Sequence, residues 1–181
     1  MLEKIPAQLC LPNGTVLINA YPYTDMNGDG RQDVAIQFYN KGFSDGDTLY
    51  TAVYFMNPDS SYSMIRKIDK LDVLYYKLRS PDYYSEMRKK TGNLYLYNEL
   101  AGKHGYSPNK KTVFDRGKIK ISMEPGGGLR YRFEYTYDPK IQNWKQTKFI
   151  VDDELQDPPI QSIEIENPAP LITDFDITDF M

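Results

Sequence analysis

Apolar and polar positions alternate with a period of two along much of the chain, most clearly in TLYTAVYFM at residues 48–56. Leu49, Thr51, Val53 and Phe55 share one face, and Tyr50, Ala52 and Tyr54 share the other. That is the repeat of a strand, whose successive side chains point to opposite sides. The same reading predicts strands over residues 15–20, 33–39, 62–67, 118–124, 129–137 and 144–151. Between them lie residues that favour tight turns: Asn57-Pro58-Asp59, the glycines 126–128, and Asp138-Pro139-Lys140 followed by Gln142-Asn143. Short turns join antiparallel neighbours, so a mainly β fold is expected, an antiparallel meander or sandwich-like arrangement.

The pattern changes in the middle. Ser80-Pro81-Asp82 supplies a capping hydroxyl before a proline suited to the first helical turn. YYSEMRKK then places acid early and base late, which complements a helix dipole. A helix over residues 81–90 follows, stopped by Thr91-Gly92-Asn93, while NLYLYNELAGK fits a short helix or a strand. The expected class is therefore a β-dominated α+β domain. It spans residues 1–150, with a small helical insert at about 67–115, and an acidic, proline-containing tail at 151–181.

Charge separates that tail from the body. The formal charge is -3, from 22 bases and 25 acids. Nine of the acids lie after Lys148, where no base occurs, leaving a body of +6 and a tail of -9. Prolines 158, 159, 168 and 170 keep most of the tail extended, although SIEIE can add an edge strand. Two readings stand: a solvated, weakly ordered end, or an acidic arm docked on the basic body or on a partner.

Composition removes several chemistries. A chain of 181 residues can bury a core without disulfide staples. Cys10 and His104 are each the single residue of their type, which leaves no disulfide framework and no thiolate metal cluster. No run approaches the roughly 18 apolar residues of a spanning helix, and MLEKIPAQLC has no apolar signal region. The bases Lys110, Lys111, Arg116, Lys118 and Lys120 read as solvated strand edges, given a pI near 5.2, so nucleic acid is not an expected partner. Gly126–Gly128 lacks a following helix start and reads as a hairpin turn, not a phosphate loop.

One constellation carries chemistry. Residues 25–33, DMNGDGRQD, have the form DxNxDGxxD. Calcium takes six to eight oxygen ligands, and an acidic loop supplies them from alternate side chains, a backbone carbonyl and a further acid. The expected donors are Asp25, Asn27, Asp29, the carbonyl of Arg31, and Asp33, with Gly30 at the sharp turn where a Cβ should clash. Position 12 is Ile36, without the bidentate Glu of an EF-hand, and a strand pattern follows. Affinity should then fall near 10⁻⁴ to 10⁻³ M, which suits an extracytoplasmic home, periplasmic or cell-surface, with any leader absent from this sequence. Asn-Gly and Asp-Gly are also hairpin signals, so a metal-free Asx-rich turn is the plain alternative. Asp174, Asp176 and Asp179 lack this glycine and register and read as solvated.

The loop DMNGDGRQDVAIQF resembles the calcium loops of FG-GAP and VCBS-type β modules. With the Tyr-rich hairpin YRFEYTYDPKIQNWKQTKF, the chain resembles single-domain periplasmic calcium-binding proteins similar to lysozyme inhibitors and effector-immunity proteins. The likeness covers residues 15–54 and 118–150. It implies a non-enzymatic, calcium-binding β domain acting by protein-protein binding, as an inhibitor or immunity protein against a cell-wall hydrolase or toxin. The alternative is a cell-surface glycan-binding or adhesion module, with exposed Tyr residues and Trp144 as stacking faces.

Overall fold

β-Branched and aromatic residues at alternate positions favour pleated, half-buried surfaces, and the alternating segments fold accordingly. The computed structural model describes residues 9, 15–40, 48–73, 111–153, 163 and 165–180. The first sheet is an antiparallel meander of β1 (Thr15–Ala20), β2 (Val34–Asn40), β3 (Thr48–Met56) and β4 (Tyr62–Val73). The second repeats the order with β5 (Lys111–Asp115), β6 (Lys118–Gly126), β7 (Leu129–Asp138) and β8 (Asn143–Asp153). The mainly β, antiparallel expectation is met. The helix expected at 81–90, the ambiguous NLYLYNELAGK, Cys10 and His104 lie outside the described residues.

Two strands depart from the periodic reading. β4 continues past Lys67 to Val73 because Ile68 and Leu71 are both buried, at a spacing that strict alternation misses. Register shifts in the β3–β4 pairing accommodate that change of spacing. β5 was too short and polar to stand out, and it is recruited by pairing with β6 across Arg116-Gly117. Gly117 there has φ +64, a left-handed value that glycine adopts without a Cβ penalty.

The first sheet is buried on both faces. Val34, Ile36, Phe38, Ala52 and Tyr54 pack together on one side with Leu9. Ala35, Val53, Phe55, Ile68 and Leu71 turn to the other side and join Ile119, Ile121, Met123, Phe133, Tyr135 and Trp144 of the second sheet. Edge-to-face contacts of Phe55 with Tyr137 and Trp144, at 5.4 and 6.0 Å between centroids, fix this junction. Trp144 is wholly buried, so it cannot supply the exposed stacking face expected of it.

The acidic C-terminal segment is part of this core. Ile172, Phe175 and Ile177 are buried in the cluster shared by the two sheets. They sit on two 3₁₀ helices, Ile172–Asp174 and Ile177–Phe180, which lie against β4, the first also against β8. Gln146 of β8 donates its N–H to the Pro170 carbonyl at 2.8 Å, and Lys70 of β4 pairs with Asp176. Residues 165–180 are thus docked through their apolar positions, while Asp174 and Asp179 stay exposed as expected and only Asp176, paired with Lys70, departs from the solvated reading.

Phe175→Ala should therefore destabilise the protein by about 3 kcal/mol, as core aromatic truncations do. Urea unfolding checks this, and a change near zero would remove the segment from the core.

Candidate functional site

The acidic loop is built from backbone closure outward. Thr24 and Asp33 form an isolated antiparallel bridge, with N–H to carbonyl distances of 3.2 and 2.8 Å, so the loop has a closed neck between β1 and β2. Met26 is fully buried in the core shared by the two sheets and anchors the near side of the loop. Gly28 and Gly30 have φ of +85 and +86. A Cβ at Gly30 would meet nothing within 4 Å, so the expected clash is absent and the glycine is required by backbone conformation alone.

Each predicted donor has a definite partner. Asp25 accepts the N–H groups of Gly28 at 2.6 Å and Gly30 at 3.0 Å. Asn27 Oδ1 accepts the Asp29 N–H at 2.9 Å, and its amide donates to Asp29 at 3.0 Å. Asp29 also accepts the Arg31 N–H at 2.9 Å and the Arg31 guanidinium at 2.6 Å. Arg31, expected to contribute its carbonyl, also holds the loop through its side chain, its Nε donating to the Met56 carbonyl at 2.9 Å. Asp33 is fully buried and accepts from Met26 N–H at 2.8 Å and Met56 N–H at 2.9 Å.

Two groups escaped the sequence reading. The β5–β6 turn reaches the loop, with Gly117 donating its N–H to the Asp25 carbonyl at 3.0 Å and Arg116 Nε lying 3.4 Å from the Asp25 carboxylate. Met56, at the end of β3, meets both Asp33 and Arg31. Neither contact has a local signal: the first depends on how the two meanders face one another, and the second on the register between β2 and β3. Of the basic stretch, Lys118 pairs with Glu134 and Lys120 with Asp115, consistent with solvated strand edges.

The five predicted residues share one loop, but their acids do not gather as a metal cluster. Among the described residues, no three His, Cys, Asp or Glu side chains are placed to hold a metal ion. The reason is visible in the hydrogen bonds: the three carboxylates turn toward three separate sets of N–H donors, and two guanidinium groups supply the positive charge.

Electrostatics separate the acids. Burial opposes ionisation of Asp29, yet the Arg31 N–H, the Asn27 amide and the Arg31 guanidinium hold it below the ordinary carboxylate range. Burial pushes Asp33 up from 3.8 to about 6, against the pull of its Met56 and Met26 N–H donors, and repulsion from Asp29 and Asp25 adds to the rise. No family model, curated protein or solved structure matches the chain.

A raised acid pKa makes the folded state bind more protons than the unfolded state between the two values, so the contribution of Asp33 is full below about pH 4 and is lost by about pH 6. The loss is on the order of 3 kcal/mol. In calcium-free buffer, the stability gap between wild type and Asp33→Asn should therefore narrow from pH 4 to pH 7. Urea melts across that range check it, and a widening gap would reverse the assignment.

Proposed function

We propose that the chain is a calcium-stabilised, non-enzymatic β domain that works outside the cytoplasm by binding another protein. Blocking a cell-wall hydrolase or toxin is the role that its sequence resemblance implies. The observation that carries the metal part is the donor chemistry of one closed loop. Asp25, Asn27, Asp29, the Arg31 carbonyl and Asp33 all present the hard oxygen donors that calcium takes. A carboxylate has about four lone-pair positions, so the N–H groups now held by Asp25, Asp29 and Asp33 leave room for further coordination. Burial is the main cause of the rise at Asp33, and a divalent ion would relieve the smaller part that repulsion from Asp29 and Asp25 adds.

The ion's role in this reading is structural. The loop touches both sheets, through Met56 at the end of β3 and Gly117 in the β5–β6 turn, so tightening it would stiffen their junction. Calcium would displace the guanidinium groups of Arg31 and Arg116 as the source of positive charge beside Asp29 and Asp25. Weak affinity requires millimolar calcium, which favours the extracytoplasmic setting. Among the described residues, no helix is long and apolar enough to cross a membrane. The glycan alternative loses its tryptophan, since Trp144 is buried.

At 10 mM calcium, a dissociation constant of 10⁻⁴ to 10⁻³ M stabilises the fold by about 1.4 to 2.7 kcal/mol. The melting temperature should rise by about 3 to 10 °C over that in chelator. Asp25→Ala and Asp29→Ala should abolish the rise. Scanning calorimetry with and without calcium makes the comparison, and an unchanged wild-type melting temperature would leave the loop a metal-free turn.

A further inference from the structure

A second site, sharing no lining residue with the loop, lies between β7 and β8 and the docked C-terminal segment. Between the two surfaces lies a half-open cavity of about 340 Å³. Phe133, Phe149, Phe175 and Phe180 contribute its aromatic wall. The wall is rigidly braced: Phe133 stacks on Phe149 at 4.7 Å, Phe175 stacks on Phe180 at 5.8 Å, and Phe133 meets Phe180 edge-on at 4.8 Å. Glu166, Asp174, Asp176 and Asp179 line the same cavity, whose described lining includes no basic side chain. Lys70 of β4 pairs with Asp176 at the edge of this group and also feels the charge of Asp179.

Tyr135 gives the cavity its one buried polar group of this kind. Its side chain is 2% exposed and lines the cavity, and its hydroxyl makes no hydrogen bond with any described residue. Burial, reinforced by the nearby charge of Asp174, keeps the phenol protonated. A protonated phenol still has lone pairs with which to accept from an N–H donor. Ring faces attract cations through their quadrupole, and carboxylates add charge-assisted hydrogen bonds. An anion would be repelled by the four acids, and a neutral apolar guest would leave the Tyr135 hydroxyl unpaired.

We propose that this cavity binds an organic cation, an alkylammonium or alkylguanidinium group, with its stem against the phenylalanine rings and its head among Asp174, Asp179 and the Tyr135 hydroxyl. The cation can be a free amine or a Lys or Arg side chain of a protein partner, and both present the same chemistry. The site is independent of the calcium loop, so the test is made in chelator.

The test is a ¹H–¹⁵N NMR titration of the full chain with n-pentylamine, with 1-pentanol, and with a blocked Gly-Lys-Gly peptide. Pentylamine should shift the amides of Tyr135, Phe149, Phe175 and Phe180, while pentanol binds more weakly. Asp174→Asn and Asp179→Asn should each weaken the amine by about two- to fivefold, the range of exposed ion pairs, without lowering the melting temperature of the protein. Tyr135→Phe should weaken it as well. Tighter binding of the free amine supports a small-molecule source, and tighter binding of the peptide supports a partner side chain. Equal binding of pentanol and pentylamine, or no shifts at these amides with either cation, would overturn the proposal.

Discussion

The buried carboxylate of Asp33 is the constraint on which the loop and the sheet junction depend. One oxygen holds the Met26 N–H, the other the Met56 N–H, and the backbone of the same residue closes the loop neck against Thr24. One residue therefore ties together the start of β2, the end of β3 and the segment that inserts Met26 into the core. An unpaired buried N–H costs more than its bond contributes, so neither donor can be surrendered cheaply. The same arrangement puts a charge where water cannot solvate it, next to two other acids. Stability and electrostatic tension thus arise at one position.

The charge division takes a physical form in the structure. The near-neutral total hides an acidic segment and a basic body, and the segment is held by apolar residues as much as by charge. Ile172, Phe175 and Ile177 enter the core, while Asp174 accepts the Leu171 N–H and Asp176 meets Lys70. Glu166 and Asp179 join these two acids along the lining of an aromatic cavity. What looked like a solubility device is a structural clasp with a polarised inner surface.

Strand identity was legible where one face is apolar and the turn is short. β1 and β3 match their predicted limits, and the glycine turn between β6 and β7 has the expected left-handed residues at Gly127 and Gly128. β5 was not legible, because a five-residue edge strand owes its existence to β6 and not to its own pattern. The C-terminal segment was misjudged in part because its acids are frequent while its apolar residues follow neither strand nor α-helical spacing; 3₁₀ turns satisfy that irregular order. In the loop, the Asx and glycine positions were readable, since they act on neighbours two to five residues away. Arg116, Gly117 and Met56 were not, since they arrive from other strands.

Residues 165–180 touch β4 and β8 together, and the pair between Lys70 and Asp176 joins positions 106 residues apart. Contacts of such long sequence separation require both meanders to be in place before they return any stability, so contact-order reasoning puts the seating of this segment late in folding. Until then the phenylalanine face of β7 and β8 stands open to other molecules, and the half-closed chain is the species most exposed to self-association. The acids spaced along that segment act on this interval too: their like charges oppose tail-to-tail approach of two unclosed copies while the aromatic face is uncovered.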